Sequence, residues 1–247
     1  MSVELEQLAS GERRRPHEWL AAVRPRERAP EDRPFLYLNM VASVDGRASF
    51  EGRTQGLGSE TDTLLLTELR ALADAVLVGT ATVRAEGYGR MVRNAERVAR
   101  REAAGLSETP LTVLISRSFD LPWDAGLFAA ADQPVIVYSG AGGEPPDVAA
   151  PLEVVRMADP HPRAVMADLR GRGVRALLCE GGPTLNSALL EAGVVDELFL
   201  TLSPMLTGDP GAPRIVEGLG LADPLRLTLE WVLRHRDELY LRYEVSP

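Results

Sequence analysis

Short apolar segments that alternate with helix-forming segments are the feature that most constrains how this 247-residue chain folds. Apolar runs bounded by turn residues predict buried strands at 35–42, 75–78, 111–115, 134–138 and 176–179. Helical patterns predict helices at 59–72, from 80 to 86, at 162–172 and at 185–192. This alternation predicts an α/β fold with a mainly parallel central sheet.

The two ends of the chain depart from that alternation. Three further strands are predicted at 197–203, 225–233 and 239–245, and the short polar loop between the last two predicts an antiparallel hairpin at the edge of the sheet. Residues 1–33 are polar, rich in arginine and interrupted by prolines. We therefore expect residues 1–33 to form a partly flexible N-terminal arm and residues 34–247 to form one domain.

Composition excludes several classes of protein. The 36 acidic residues outnumber the 27 basic ones, and the net charge of −9 argues against nucleic-acid or membrane-surface binding. Every basic residue is arginine, which rules out a Schiff-base lysine and a Walker A loop. Cys179 is the single cysteine and the three histidines are scattered, so we expect no disulfide and no metal site. No apolar run approaches the length of a membrane span, and we expect a cytoplasmic protein.

The segment from Cys179 to Leu185 carries the most chemical information. In open α/β sheets ligands bind beyond the carboxyl ends of the strands, and here Gly181 and Gly182 stand between a strand and a helix. Glycines let the backbone approach a ligand, and the free N–H groups of the helix that follows favour an anion such as a phosphate. A tight turn without a ligand remains an alternative. Glu180 would accept hydrogen bonds from a substrate or move a proton, unless it forms only a surface ion pair.

Three other strand ends carry polar residues. Thr80 and Thr82 open a helix after Gly79, either as a cap or as a second phosphate or ribose contact. Ser116 and Arg117 follow the next strand and suit a nucleotide 2′-phosphate, although an exposed turn would have the same sequence. Asp45 lies in an Asp-Gly turn, and we expect it to position the end of the first strand rather than to act in catalysis.

An ordered set of these segments resembles a known family. The set comprises residues 39–46, 69–70, 74–83, 180–185, 195–198 and 203–204. Together they are similar to the reductase domain of bacterial riboflavin biosynthesis, here as a stand-alone member. The resemblance implies a dihydrofolate-reductase-like fold, a homodimer and NADPH-dependent reduction of a phosphorylated ribosylaminopyrimidine at C1′ of its sugar.

The resemblance also implies roles for individual residues. The cofactor would contact Val41, Thr82, Glu86, Ser116 and the turn formed by Gly182, Pro183, Thr184, Leu185, Asn186, Ser187 and Ala188. The small-molecule substrate would meet Thr54, Arg70, Arg93 and Glu180, with Arg70 and Arg93 at the sugar phosphate and Glu180 at the pyrimidine or the reacting sugar.

Two departures from the family pattern leave alternatives open. The zinc deaminase motifs of the bifunctional relatives are absent from the sequence, and Glu86-Gly87-Tyr88-Gly89 stands where the family usually has an acidic-acidic-proline sequence. A reductase of dihydrofolate or another heterocycle on the same fold is therefore one alternative. A nucleotide-binding module without catalytic turnover is the other.

Overall fold

The computed structural model of the chain describes residues 3–54, 56–218, 220–221 and 223–246. The strands are β1 (Leu5–Gln7), β2 (Arg13–Arg14), β3 (Phe35–Ser43), β4 (Ala75–Val78), β5 (Leu111–Ile115), β6 (Val135–Ser139), β7 (Leu152–Arg156), β8 (Ala176–Cys179), β9 (Glu197–Ser203), β10 (Arg226–His235) and β11 (Glu238–Ser246). The helices are α1 (Pro16–Leu20), α2 (Glu60–Leu72), α3 (Thr80–Glu86), α4 (Ala95–Ala103), α5 (Gly126–Ala129), α6 (Pro162–Gly171) and α7 (Pro183–Glu191).

The chain divides into two compact units. Residues 25–35 and 70–180 form one, which we call the parallel unit, and residues 1–24, 36–69 and 181–247 form the other, which we call the mixed unit. The predicted division into an arm at 1–33 and a domain at 34–247 stays a prediction. Within residues 1–33, Leu5, Leu20 and Val23 are buried.

The parallel unit is built on five parallel strands in the order β8-β4-β5-β6-β7. Every residue of β4, β6 and β8 is buried, because parallel strands are covered on both faces and therefore consist of continuous apolar runs. Helix α6 contributes Val165, Met166 and Leu169 to this core. The parallel arrangement brings the carboxyl ends of all five strands to one edge of the sheet.

The mixed unit has strands in the order β2-β1-β10-β11-β9-β3. β3 and β9 pair in parallel, whereas the remaining neighbours pair antiparallel. Arg236 lies in the turn between β10 and β11 with a φ of 56°. The predicted C-terminal hairpin is thus confirmed, and the short N-terminal strands β1 and β2 extend the sheet beyond β10.

The two faces of the β9–β10–β11 sheet carry different kinds of apolar side chain. One face carries Tyr37, Phe199 and Trp231, whose rings meet edge to face. The opposite face carries an apolar row formed by the cross-strand partners Leu200, Leu241 and Val232. Leu227 and Leu229 continue that face toward the start of β10 and are 44% and 51% exposed.

The fold class is α/β, as predicted, with parallel strands and antiparallel C-terminal strands. The sequence patterns did not predict β1, β2, β7, α4 or α5. Helix α4 was not predicted because most of its residues are charged and its apolar residues are three alanines and one valine. In the described part of the chain, no helix combines the length and the apolar character that crossing a bilayer would need.

Candidate functional site

Arg70 and Glu180 form a bidentate ion pair in the parallel unit. Arg70 lies in the last turn of α2, and Glu180 follows β8 directly. The guanidinium donates from Nε to Oε1 at 2.6 Å and from Nη2 to Oε2 at 2.7 Å. The Glu180 side chain is 3% exposed and that of Arg70 is 15% exposed. Burial without a partner would make either charge costly, so each one requires the other. The family resemblance had assigned both residues to the substrate, and the structure brings them together.

Tyr88 is a third member of this cluster. Its hydroxyl donates to Glu180 Oε2 at 2.8 Å, and the Arg70 guanidinium lies 5.6 Å from the centre of its ring. Burial, with the neighbouring Glu180 carboxylate, raises the pKa of the Tyr88 phenol well above its usual value. Sequence analysis recorded the departure at this position but assigned Tyr88 no role. The sequence pattern alone does not show that the residue after Gly87 turns back toward Glu180.

Several contacts hold the segment that carries Tyr88. Helix α3 ends at Gly87, whose φ of 59° turns the chain in a conformation that favours glycine. The buried side chain of Gln133 accepts a hydrogen bond from the Met91 N–H at 2.9 Å. Arg101, also buried, donates to the backbone carbonyls of Arg70 and Ala73. These contacts support both the helix end that carries Arg70 and the loop that carries Tyr88.

The other residues assigned to the substrate are placed differently. Arg93 is exposed and its guanidinium lies close to the backbone of Gly89. The neighbouring Arg90, to which the sequence assigned no substrate role, pairs with Glu108 and Asp132 at 3.1 and 2.8 Å. Thr54 is exposed and belongs to the mixed unit. The position of Arg93 next to the Tyr88 segment agrees with a role near that cluster, which stays a prediction.

The glycine turn before α7 lies in the mixed unit. Gly181 has a φ of 81°, and a Cβ atom there would lie 3.1 Å from the Met40 sulfur. Gly182 is the N-cap of α7 and no side chain caps it, while Pro183 occupies the first turn, as expected. The helix start therefore keeps backbone N–H donors that a side-chain cap would otherwise satisfy. This geometry fits an anion such as a pyrophosphate.

The side chains of this turn fall into two groups. Asn186 and Ser187 are buried: Asn186 donates to the Ile215 carbonyl at 2.7 Å, and Ser187 donates to Glu191 at 2.8 Å. Thr184 is exposed, whereas Pro183, Leu185 and Ala188 are half-buried. A contact between Asn186 or Ser187 and a cofactor would therefore need these internal hydrogen bonds to change or would use the backbone.

The remaining cofactor assignments lie at strand and helix ends. Val41 is buried in β3 of the mixed unit. In the parallel unit, Thr82 and Glu86 are half-buried on α3, Ser116 is buried after β5 and Arg117 beside it is exposed. The Ser116–Arg117 pair thus combines a sheltered hydroxyl with an accessible guanidinium.

Asp45 has the positioning role that the sequence predicted. It accepts hydrogen bonds from the Ser43 hydroxyl and from the backbone N–H groups of Thr207 and Gly208. The Ser43 hydrogen bond and these backbone donors lower the pKa of the Asp45 carboxyl far below its usual value. The carboxylate thereby ties the loop after β3 to the loop after β9.

Clusters of three or more His, Cys, Asp or Glu side chains that could hold a metal ion are not found in the described part of the chain. His161 caps α6, and His235 lies 3.1 Å from the Glu4 carbonyl. Cys179 is buried in β8.

Comparison with known families decides the relationship. The family profile described as RibD C-terminal domain matches residues 34–240. The chain belongs to this family. The RibD C-terminal domain match covers nearly all of β3 to β11 and includes the Arg70–Glu180 pair, Tyr88 and the turn before α7.

Individual RibD-type relatives support the match. The protein named 2,5-diamino-6-ribosylamino-4(3H)-pyrimidinone 5′-phosphate reductase from Archaeoglobus fulgidus is 30% identical over 75% of this chain and 87% of its own length. The protein of the same name from Methanothermobacter thermautotrophicus is 29% identical over 87% of this chain and 99% of its own length. The crystal structure of a pyrimidine reductase-like protein from Corynebacterium diphtheriae superposes with a TM-score of 0.75 at 26% identity, covering 87% of this chain and 92% of that one.

Proposed function

We propose that this chain is a reductase of riboflavin biosynthesis that acts on 2,5-diamino-6-ribosylamino-4(3H)-pyrimidinone 5′-phosphate. The carrying observation is that two archaeal reductases of that name align with it over 87% and 99% of their own lengths. The family match over residues 34–240 supports the same conclusion. The reaction uses a nicotinamide cofactor, and the preference for NADPH belongs to this proposal.

The Arg70–Glu180 pair supports a site for an anionic substrate that carries N–H groups. Glu180 takes the Nε edge of the guanidinium, and the Nη1 group donates to none of the described residues. Nη1 is therefore available to a phosphate, which arginine binds strongly through its N–H groups. Glu180 Oε1 accepts from Arg70 alone among those residues and can accept an N–H of the pyrimidine or the reacting amine.

The turn before α7 and the end of β5 support the cofactor proposal. The uncapped amides at Gly182 would bind the pyrophosphate, and Thr184 adds an exposed hydroxyl. Ser116 and Arg117 would contact the 2′-phosphate that distinguishes NADPH from NADH. Val41, Thr82 and Glu86 would complete the cofactor contacts. When bound, the reduced nicotinamide supplies the hydride for C1′, and the protein orients the two reactants.

An activity assay tests the proposal. The purified chain is incubated with NADPH and, in turn, with the diaminopyrimidinone phosphate, with 5-amino-6-(5-phosphoribosylamino)uracil and with dihydrofolate, and cofactor oxidation is followed by absorbance. We expect turnover with the first compound and a large loss of turnover in Arg70→Ala, but not in Arg163→Ala, an exposed arginine at the start of α6. Turnover of only the uracil compound or only dihydrofolate would contradict the proposed substrate and identify that compound as the substrate instead. NADPH binding without any turnover would favour a non-catalytic module.

The apolar face of the β9–β10–β11 sheet supports the proposal of a homodimer. Leu200, Leu241 and Val232 form a row without charge, and Leu227 and Leu229 extend it with about half of each residue exposed. A self-complementary apolar patch of this kind suits a two-fold interface, in which the same surface is used by both copies.

Light scattering after size-exclusion chromatography measures the oligomeric state. We expect the wild-type chain to be a dimer and Leu229→Glu to be a monomer, because a buried unpaired carboxylate opposes association. Leu206→Glu is the matched control, since Leu206 is a loop leucine that is 76% exposed and lies outside the sheet. A monomeric wild type, or a dimer that Leu229→Glu leaves intact, would contradict the proposed interface.

A further inference from the structure

Tyr88 occupies one of the acceptor positions of the Glu180 carboxylate. A carboxylate offers about four lone-pair positions. Arg70 takes one on each oxygen and the Tyr88 hydroxyl takes the second on Oε2, counting the donors that the structure describes. Among these residues only Oε1 therefore keeps an acceptor position. The hydroxyl thus leaves Oε1 as the oxygen that keeps an acceptor position.

The loop around Tyr88 is built for this contact. Gly87 ends α3 in the left-handed region and sends the chain back toward Glu180. Gly126 packs against the Tyr88 backbone so closely that a Cβ atom there would lie 2.9 Å from the Tyr88 carbonyl oxygen. The Gln133–Met91 hydrogen bond holds the same segment three residues further on. A side chain fixed at three places along its segment is pre-organised for one orientation.

We propose that Tyr88 is a positioning residue of the substrate site, which orients Glu180 through its hydroxyl and Arg70 through its ring so that Oε1 and Nη1 face an N–H-bearing phosphorylated pyrimidine. This assignment rests on the proposed function and adds to it a residue that the family pattern does not supply. Tyr88 acts through Glu180 and Arg70 and does not itself deliver a proton. Its phenol donates to a carboxylate, and its raised pKa keeps it protonated at neutral pH.

A double-mutant cycle tests this role. Tyr88→Phe keeps the ring and removes the hydroxyl. We expect it to raise the Kd and the KM for the pyrimidine substrate roughly tenfold, as for loss of a hydrogen bond to a charged group. NADPH affinity should change less than about twofold, because Glu180 and Arg70, which the Tyr88 side chain contacts, are both assigned to the substrate rather than to the cofactor. In a Glu180→Gln background the same change should alter substrate affinity less than about twofold, because coupled residues are not additive.

Tyr138→Phe is the matched control. The Tyr138 hydroxyl also donates to a carboxylate in the parallel unit, that of Asp168, at 2.7 Å. Both variants lose one such hydrogen bond, so both should lose stability, but Tyr138→Phe should leave substrate affinity unchanged. Equal effects of the two variants on substrate affinity would mean that Tyr88 has only a structural role and would overturn the proposal.

Gly126→Ala provides an independent route to the same contact, since it displaces Tyr88 without changing it. We expect weaker substrate binding with NADPH affinity retained. Gly171→Ala is its control, because a Cβ atom there meets nothing within 4 Å. Normal substrate binding by both Tyr88→Phe and Gly126→Ala, or full additivity with Glu180→Gln, would overturn the proposal.

Carbon-13 labelling of tyrosine Cζ separates this proposal from the proposed function. In the wild type the Tyr88 signal, identified by its loss in Tyr88→Phe, should remain that of a protonated phenol at pH 10. Titration near the ordinary pKa would show that the contact with Glu180 is absent and would overturn the positioning role whatever the substrate is. If the wild type binds dihydrofolate rather than the pyrimidine, the proposed function fails. The double-mutant cycle of Tyr88→Phe and Glu180→Gln then tests the positioning role with dihydrofolate affinity as the measured quantity.

Discussion

Two arginine–glutamate pairs, one in each unit, have the same hydrogen-bonding geometry but lie at different places in their sheets. In the mixed unit, Arg242 donates from Nε and Nη2 to Glu197, between the neighbouring strands β11 and β9. In the parallel unit, Arg70 binds Glu180 with the same bidentate geometry. Each guanidinium also lies over an aromatic ring, Phe199 at 5.9 Å and Tyr88 at 5.6 Å.

Position separates the two pairs. Glu197 is fully buried at the start of a strand, and its arginine is 9% exposed in the middle of β11. Glu180 follows the carboxyl end of a parallel strand, where α/β proteins bind ligands, and Arg70 is more exposed. The ring beside Arg70 carries a hydroxyl that reaches the carboxylate, whereas Phe199 has none. The comparison teaches that place in the sheet, rather than residue type, distinguishes the two pairs.

The largest expected effect tests the comparison between the two ion pairs directly. Glu180→Gln and Glu197→Gln each leave a buried arginine without its carboxylate, and each should lower the free energy of unfolding by about 3 kcal/mol. Only Glu180→Gln should also lower kcat/KM, by roughly a hundredfold, because it alone would remove a substrate contact. Denaturant unfolding and steady-state kinetics measure the two effects. Equal losses of activity per unit of lost stability would show that both pairs are structural.

The second effect concerns the turn that follows Glu180 and has no counterpart beside Glu197. Gly182→Val should weaken NADPH binding roughly ten- to a hundredfold, as for loss of charge-assisted hydrogen bonds to the pyrophosphate. Backbone strain would not explain the loss, because Gly182 has a φ of −85°. Fluorescence titration with NADPH measures it, with Gly142→Val, where a Cβ atom meets nothing within 4 Å, as the control. Unchanged NADPH affinity would show that this turn is not part of the cofactor site.

A smaller effect is expected at Arg117, an exposed arginine without a buried carboxylate of its own. Arg117→Ala should weaken NADPH binding about tenfold and leave NADH binding nearly unchanged, because only NADPH carries the 2′-phosphate. Parallel titrations with the two cofactors measure the ratio. A similar loss for both cofactors would assign Arg117 a general electrostatic role.

The smallest effect concerns Asp45, an exposed carboxylate held by the Ser43 hydroxyl and by backbone N–H donors rather than by arginine. Its pKa is lowered in the folded state from an ordinary 3.8, so its contribution to stability is present at neutral pH and is lost as the pH falls below that value. Asp45→Asn should slightly lower the melting temperature at pH 7, and the difference from wild type should shrink below pH 4. Calorimetry over this range measures it. A difference that is independent of pH would contradict the assigned charge effect.

Much of the fold was predictable because its strong signals are local. The run Ala75–Val78 and the capped helix after Ser59 are recognisable from apolar spacing and a hydroxyl cap, and both are confirmed. Strand β7 was missed because it is half-exposed, and helix α4 because its apolar residues are only three alanines and one valine. The strand and the helix predicted on either side of Gly181 and Gly182 are also confirmed.

The candidate site was predictable only in part. Arg70 and Glu180 are 110 positions apart, and the family resemblance named both without indicating that they bind each other. Tyr88 had no assigned role because its contact depends on the turn at Gly87 and the packing of Gly126 against its backbone. Neither is visible as a pattern of residue types.

The sequence by itself determined the alternation of strands and helices, the glycine turn before α7 and, through its ordered motifs, the family. These properties depend on backbone preference and apolar spacing, which act over a few residues. Only the tertiary structure decided that Arg70 and Tyr88 both donate to the Glu180 carboxylate and that Arg242 and Glu197 form a separate pair. Hydrogen bonding between buried charges requires groups distant in the chain to meet at about 3 Å, and only the complete packing of the chain brings them to that distance.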